Sequence, residues 1–236
     1  MDRPLTATTT AVPGAVRGSD FAALCRQVRA TDLLERRGRH YLLRISATVL
    51  ALVLTCAAFV LLGDSWYQLG IAAVLGVVFT QLAFLGHDGG HQQICRSRRA
   101  NDLIGIVIGD LLVGLSFGWW LDKHNRHHAN PNHEEHDPDI GDSVLAFTTA
   151  HIAARTGGVF RLIARYQAWL FFPMLCFEGL QLHVAGVQSL IRGKQRRYRR
   201  TEAVLMSIHL LGYLAAVLLV LSPVKALAFV AVHQAV

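Results

Sequence analysis

Cysteine is scarce in this chain of 236 residues, which contains four cysteines. They are widely separated, and no two of them form a Cys-x-x-Cys pair. The sequence therefore predicts neither a disulfide framework nor a structural zinc site. We expect reduced thiols at Cys25, Cys56, Cys95 and Cys176.

Charged side chains are also few. They make up 17% of the residues, against 53% that are hydrophobic, and the mean hydropathy is positive. This composition is too apolar for an ordinary soluble domain and favours a membrane protein. The formal net charge of +7 comes from arginines clustered at the ends of apolar segments. Because these arginines are not spread over one surface, we expect no nucleic-acid partner.

The first 44 residues lack an apolar run that follows a basic start. We therefore expect no cleavable signal peptide, and the first membrane segment should direct insertion. Residues 1–20 are rich in Thr, Ala, Pro and Gly and predict a mobile tail, whereas residues 21–44 predict a basic, partly amphipathic helix. We divide the chain into an N-terminal tail with a basic amphipathic segment, residues 1–34, and a main domain, residues 35–236.

Three apolar segments predict membrane spans. Residues 45–63, 69–86 and 203–221 give 19, 18 and 19 residues without a charge, near the roughly 20 that a helix needs to cross a bilayer. The short connection over residues 64–68 predicts a helical hairpin. A fourth apolar segment, residues 226–236, has 11 residues, and we interpret the chain as a fragment that ends within this span. The fold class is all-α: an integral membrane protein of two helical hairpins with the fourth span incomplete.

Basic residues predict the orientation of these spans. They precede the first span, follow the second and precede the third, and the positive-inside rule places such residues in the cytoplasm. Two further apolar stretches, residues 103–120 and 160–191, contain charges or proline. A charge at mid-bilayer is costly, so we expect these stretches to lie along the interface or to dip into it. The interruptions are Asp110, Arg161, Arg165, Pro173 and Glu178.

Two histidine clusters follow apolar segments on this cytoplasmic side. The first contains His87 and His91, and the second contains His124, His127 and His128. Residues three and four apart share one face of a helix, so each cluster can direct its imidazoles into one pocket. Neutral imidazole binds iron, copper, zinc and nickel. The spacing predicts a joint metal site, against the alternative of interfacial histidines that cap helix ends.

Other polar residues near the clusters are weaker candidates. His133 and His136 lie in a proline-flanked stretch that favours a loop, so we interpret them as solvated, with extra metal ligands as the alternative. Asp88 and Asp122 adjoin the clusters and are candidates to orient an imidazole, or are simply solvated. His209 falls within the third span, where a buried ionisable group needs a partner. The isolated histidines, for which no ligand role is expected, are His40, His151, His183 and His209.

The order of these features resembles that of the integral-membrane fatty acid desaturases. These proteins have a membrane hairpin, a cytoplasmic His-x-x-x-His, an interfacial helix, a His-x-x-His-His and a second hairpin. Residues 119–132, WWLDKHNRHHANPN, are similar to bacterial members related to the front-end and linoleoyl-CoA desaturases. The resemblance covers residues 35–236 and identifies them as a desaturase domain that is incomplete at its C-terminus.

The resemblance implies a non-haem di-iron centre that uses dioxygen as co-substrate. By this resemblance, the expected iron ligands are His87, His91, His124, His127 and His128. Family members complete the centre with a third histidine box beyond the fourth span, often beginning with Gln, and this sequence ends before such a box. The implied reaction introduces a double bond into an acyl chain. Iron can make the necessary oxidant from dioxygen and two electrons, whereas zinc is redox-inert.

The resemblance also implies partners. The substrate is an acyl-CoA or acyl-lipid reached from the surrounding membrane lipid. No His-Pro-Gly-Gly haem signature is present, so we expect a separate electron donor, a ferredoxin or cytochrome b5 with its reductase. One alternative is a membrane di-iron hydroxylase or ketolase that acts on alkanes or carotenoids. Another is a non-catalytic membrane metal carrier, but a conduction path would need ligands inside the spans, where only His209 lies.

Overall fold

The computed structural model describes residues 19–140, 144–155, 157–193 and 197–236, and these residues contain no β-strand. The predicted all-α class is confirmed. A π-helical segment, Val107–Val113, directly follows the fourth helix. The described α-helices are α1 Asp20–Arg29, α2 Gly38–Leu62, α3 Gln68–Gly90, α4 Arg98–Ile106, α5 Phe117–Ala129, α6 Thr149–Ala154, α7 Gly158–Leu175, α8 Glu178–Arg192, α9 Arg199–Val220 and α10 Pro223–Ala235.

The basic N-terminal region is not one helix, so the prediction over residues 21–44 is wrong. Helix α1 ends at Arg29, where the Thr31 hydroxyl donates to the Val28 carbonyl at 2.7 Å and competes with continued helix formation. A short 3-10 turn follows, and from Gly38 onward the residues belong to α2. Contacts among the described residues place a boundary between two compact units after Arg36. The domain boundary after residue 34 stays a prediction.

Three described helices are long and apolar enough to cross a membrane. They are α2, α3 and α9, with 25, 23 and 22 residues, and two sharply bent helix pairs raise the number of candidate spans to five. Residues 69–86 lie within α3, and the segments 45–63 and 203–221 each extend one residue past the end of α2 and α9. The α2–α3 turn is closed by the buried Gln68 amide, which donates to the carbonyls of Phe59 at 2.7 Å and Gly63 at 2.9 Å. Gly63 there has a φ of 62°, which favours glycine.

Helix α3 lies at the centre of the helical bundle and contacts α2, α4, the π segment and α10. Two apolar clusters follow its length. The cluster nearer its first residue brings α3 together with α2, α9 and α10, and the cluster nearer the histidines brings it together with the π segment. Their buried members are Phe59, Ala72, Leu75, Val217, Leu221, Ala226 and Phe229, then Val78, Leu82, Leu85, Ile108 and Val113.

The Asp64 side chain ties the two helical hairpins together at the end opposite the histidines. Its carboxylate accepts from the Ser222 backbone N–H at 2.9 Å and from Lys225 Nζ at 2.9 Å. The Ser222 N–H and then Lys225 lower the pKa of Asp64 below its ordinary value. The ionised form is therefore favoured in the folded state.

We expect Asp64→Asn to lower thermal stability in detergent near neutral pH. A depressed folded-state pKa gives a contribution that is present above the ordinary aspartate pKa and lost as pH falls through the lowered value. The stability difference between wild type and Asp64→Asn should accordingly shrink on acidification. Melting curves recorded against pH measure this difference, and a gap that widens at low pH would contradict the prediction.

The segment between α4 and α5 is bent rather than straight. The α4–π segment and α5 meet at 116°, and α7 and α8 meet at 81°. At the first bend Gly114 has a φ of 81°, and a Cβ there would collide with the His209 ring. The His209 Nδ1 lies 2.9 Å from the Leu111 carbonyl, and the His183 Nε2 lies 3.1 Å from the Val113 carbonyl. Each of these imidazoles pairs with a backbone carbonyl of the π segment. In apolar surroundings, a carbonyl without a hydrogen-bond partner would raise the free energy of the folded state.

Candidate metal centre

Four imidazoles from two helices converge at the end of α3. The rings of His87 and His91 lie 4.5 Å apart, and His124 on α5 faces both of them. His124 Nε2 lies 3.0 Å from Nε2 of His91 and 3.0 Å from Nε2 of His128. Possible ligand atoms of His87, His91 and His124 all lie within 4.8 Å of one another. Four of the five histidines in the two sequence clusters thus form one group.

Small residues allow α3 to approach both α4 and α5 closely. A Cβ on Gly90 would lie 2.7 Å from the Trp120 ring, and a Cβ on Gly89 would lie 3.3 Å from the Asn101 carbonyl. The Trp120 indole can therefore stack on His124, with ring centroids 4.5 Å apart and planes at 20°. The glycine pair between the first two histidines is a packing requirement of the centre.

A buried amide shapes the loop that follows His91. Asn101 Oδ1 accepts from the backbone N–H groups of Ile94 at 3.1 Å and Cys95 at 2.9 Å. Its Nδ2 donates to the carbonyls of Cys95 at 2.7 Å and Ser97 at 2.9 Å. Asn101 could not be recognised from the sequence, because an asparagine early in a helix carries no signal of such a loop.

The Nδ1 atom of His127 faces the loop that follows α5, and its ring centroid lies 5.7 Å from that of His128. Its Nδ1 lies 2.9 Å from Asp137 Oδ1 and 3.2 Å from Asp139 Oδ2. The Asp137 carboxylate is buried and also accepts from the backbone N–H groups of Asn132 at 2.8 Å and Asp139 at 2.9 Å. A carboxylate at Nδ1 fixes the tautomer and leaves Nε2 as the nitrogen available to a metal.

Hydrogen bonds hold the Asp137 carboxylate in its charged form. Burial raises its pKa, but the Asp139 backbone N–H, the His127 imidazole and the Asn132 backbone N–H outweigh burial and lower the pKa to about 2. The pKa of His91 is also lowered, by burial first and then by the charges of His87 and His128. A neutral imidazole is the form that binds metal.

The two carboxylates considered from sequence do not bond to an imidazole of the cluster. Asp88 lies 3.7 Å from His87 Nδ1, and its closer contact is the Tyr41 hydroxyl at 3.3 Å. Asp122 pairs with Arg126 at 3.4 Å on an exposed part of α5. Asp137 was missed because nothing in the spacing relates it to His127, ten positions earlier.

The remaining histidines lie outside the group of four. His133 and His136 are exposed in turns, as the solvated-loop interpretation expects, with their Nδ1 atoms 3.0 Å apart. His209 has the partner that its place in a span requires, the Leu111 carbonyl. His233 Nδ1 lies 2.9 Å from the Tyr213 hydroxyl.

The start of α5 is anchored by a buried carboxylate from α9. Glu202 is 2% exposed, and its Oε2 accepts from the Ser116 hydroxyl at 2.7 Å and from the Gly118 backbone N–H at 3.2 Å. A Cβ on Gly118 would collide with this carboxylate. Since α5 carries three histidines, Glu202 helps to fix their direction. Sequence reasoning gave it no role, since an acidic residue at a helix start is common.

We expect Glu202→Ala to destabilise the protein by about 1 to 3 kcal/mol, because the buried Ser116 hydroxyl and the partly buried Gly118 N–H would lose their acceptor. Glu202→Gln keeps an acceptor oxygen and should lose less. Denaturant titration of the purified chain measures the change. Glu178→Ala, at an exposed position, is the control, and equal losses for both alanine variants would refute the anchoring role.

The donor set therefore consists of imidazole nitrogens, which suit iron, copper, zinc or nickel. A family model described as fatty acid desaturase matches residues 64–236. The chain belongs to the fatty acid desaturase family. Members of this family generally carry a di-iron centre held by histidine clusters. The expected family is thus confirmed, whereas the bacterial front-end subtype stays a prediction.

Curated relatives are desaturases of fatty acids and sphingolipids. A Delta(8)-fatty-acid desaturase of Helianthus annuus is 29% identical over 184 residues, covering 73% of this chain and 40% of the relative. One of Euglena gracilis is 30% identical over 200 residues, covering 80% and 46%. A Delta 8-(E)-sphingolipid desaturase of Emericella nidulans is 36% identical over 144 residues, covering 56% and 26%. The chain spans less than half the length of these relatives. No solved structure matches it significantly.

Proposed function

We propose that the whole protein is a membrane desaturase that introduces a double bond into an acyl chain in lipid metabolism, with dioxygen as co-substrate. The observation that carries the proposal is the meeting of His87, His91, His124 and His128 at one end of apolar helices, in a chain of the desaturase family. Iron held there would lie beside the membrane, from which an acyl chain must come.

Five histidines fit a di-iron centre. His87, His91, His124 and His128 would hold metal directly, and His127 would do so through Nε2 while Asp137 holds its Nδ1. When bound, the iron supplies an oxidant strong enough to remove hydrogen from an unactivated methylene. The protein supplies the orientation of the rings: Glu202 fixes the start of α5, and Asp137 sets the tautomer of His127.

The substrate would be an acyl-CoA or an acyl-lipid, and electrons would come from a separate ferredoxin or cytochrome b5 system. Fatty acid profiling of cells that express the whole protein, supplied with each class of acyl substrate, tests the activity. The expected product has lost two hydrogens. A product that has instead gained oxygen would indicate the hydroxylase or ketolase alternative, which no described feature favours. The absence of any new double bond would refute the proposal.

We also propose a multi-pass topology with the histidines on the cytoplasmic side. In a variant whose four native cysteines are replaced, a cysteine at Asn132 should react with a membrane-impermeant maleimide only when the cytoplasmic face is accessible. A cysteine at Ser65, in the α2–α3 turn, should react from the opposite face, because in the proposed topology α3 is the single crossing between the two positions. Labelling of both from one face would contradict this topology.

A further inference from the structure

One pocket between α4, α5 and the start of α9 is lined by charges of both signs and by none of the histidines. We call it the charged pocket, and its volume is about 290 Å³, at the lower limit of ligand pockets. Its charged lining residues are Arg98, Asp102, Arg197 and Glu202. Both arginines are exposed, whereas Asp102 is 8% exposed and Glu202 is 2% exposed. The accessible charges of the pocket are therefore positive, and its buried charges are negative.

These opposite charges do not neutralise one another. In the described part of the chain, no ion pair joins either arginine to either carboxylate. One oxygen of each carboxylate accepts a hydrogen bond, from Gln92 Nε2 at 3.4 Å for Asp102 and from the Ser116 hydroxyl at 2.7 Å for Glu202. The other oxygens, Asp102 Oδ2 and Glu202 Oε1, have no hydrogen-bond partner among the described residues. A buried carboxylate is costly unless it is paired, so a cationic donor that enters the pocket would be stabilised there.

The two carboxylates favour a primary ammonium as that donor. A primary ammonium has three N–H groups that can reach free carboxylate oxygens, whereas a quaternary ammonium has none. Gly118 keeps the space beside one of these oxygens open, because a Cβ at this position would collide with Glu202 Oε1. The buried part of the pocket therefore distinguishes between two kinds of organic cation.

The two arginines suit a phosphate group. Arg98 is the first residue of α4, where the helix terminus also favours an anion. The guanidinium carbon of Arg197 lies 5.0 Å from the Tyr198 ring centroid, and packing on this ring restricts the guanidinium. A guanidinium presents paired N–H groups that match the oxygens of a phosphate.

The sequence around Arg197 gives the depth of the pocket relative to the membrane. Arg197 and Tyr198 directly precede α9, which is long and apolar enough to cross a membrane. Basic and aromatic residues at the end of a span lie at the level of the lipid head groups. The pocket therefore lies where phospholipids present their phosphates and amines.

We propose that the charged pocket binds the head group of a phospholipid that carries a phosphate and a primary ammonium, as phosphatidylethanolamine does. The phosphate contacts the exposed guanidinium groups, and the ammonium donates to the buried carboxylates. A head group without a cation leaves the carboxylates unpaired, and a quaternary ammonium cannot donate to them. This binding is independent of desaturation, because no histidine lines the pocket and the lipid is not consumed.

The test uses the 236-residue chain purified in neutral detergent, with native mass spectrometry to titrate bound lipids that have identical acyl chains. A hydrogen bond to a charged group contributes about 10- to 100-fold in binding constant. Wild type should therefore bind phosphatidylethanolamine at least about tenfold more tightly than phosphatidylcholine or phosphatidylglycerol. Equal binding of phosphatidylethanolamine and phosphatidylcholine would overturn the assignment of the ammonium.

Two variants separate the roles of the two charges. R98Q/R197Q should weaken the binding of phosphatidylethanolamine and phosphatidylglycerol alike, by at least about tenfold. Asp102→Asn should weaken phosphatidylethanolamine by about tenfold and leave phosphatidylglycerol unchanged. If Asp102→Asn fails to fold, the comparison of the two zwitterionic lipids in wild type still tests the ammonium.

Matched controls remove the same charges at neighbouring positions. R99Q/R200Q neutralises two exposed arginines that do not line the pocket and should bind phosphatidylethanolamine as wild type does. Equal losses in R98Q/R197Q and R99Q/R200Q, or no loss in either, would overturn the proposal. Soluble phosphoethanolamine that competes as strongly as the lipid would overturn the lipid assignment. Magnesium binding by wild type that Asp102→Asn abolishes would instead show a site for a metal cation.

Discussion

Replacing His124 with alanine is expected to remove bound iron from the whole protein and to abolish desaturation. Its Nε2 lies 3.0 Å from those of both His91 and His128, so it joins the two halves of the cluster. Loss of a residue that only orients a metal ligand costs about 10- to 100-fold in affinity or activity. Loss of a direct ligand at the centre of the group should cost at least about 100-fold.

Iron per protein, measured by elemental analysis, and double-bond formation, measured by fatty acid profiling, should fall together. His133→Ala is the matched control, because His133 is an exposed imidazole in the turn that follows α5. It should leave both quantities unchanged. Full iron content in His124→Ala would contradict its place among the ligands, whereas iron loss in His133→Ala would extend the site to the loop.

Changing Asp137 to asparagine should weaken iron binding by about 10- to 100-fold without unfolding the protein. The carboxylate accepts from His127 Nδ1 at 2.9 Å, and an amide can place its NH₂ group there instead. The tautomer of His127 would then no longer be fixed with Nε2 available to the metal. Competition against a chelator of known affinity measures the change in iron binding.

Asp122→Asn supplies the control for Asp137→Asn. It is the same chemical change on the helix that carries the second cluster, but Asp122 is exposed and pairs with Arg126. We expect its iron affinity to match wild type. If the two variants bind iron equally, Asp137 would have only a structural role in its loop.

Local patterns in the sequence were enough to predict the membrane spans and to predict which histidines share a helix face. The segments over 45–63, 69–86 and 203–221 contain no Asp, Glu, Lys or Arg, and length and hydropathy are enough to identify a candidate span. The i, i+3 and i+4 spacings also indicate which rings share a helix face, because that geometry depends only on the backbone. Both inferences use information contained within one helix.

The features that sequence analysis missed depend on contacts between distant segments. Glu202 meets α5 across 86 positions, and His209 meets the Leu111 carbonyl across 98. No periodicity joins such pairs. The direction of the His127 ring was also beyond a helical-spacing argument, because the loop that carries Asp137 decides it. The prediction over residues 21–44 is wrong for a local reason instead. Composition favours one helix there, but the hydrogen bond from the Thr31 hydroxyl to the Val28 carbonyl helps to end α1 at Arg29.

The stacking of Trp120 on His124 gives the protein an intrinsic optical signal. The indole lies 4.5 Å from the His124 ring and 5.4 Å from the His87 ring, measured between centroids. A transition metal held by these imidazoles would sit close enough to quench the fluorescence of this indole. Loading and loss of metal would then be visible as a change in emission, in real time and without an added dye. Trp66 lies in the α2–α3 turn at the far end of α3 and would contribute unquenched emission to the signal of the four tryptophans.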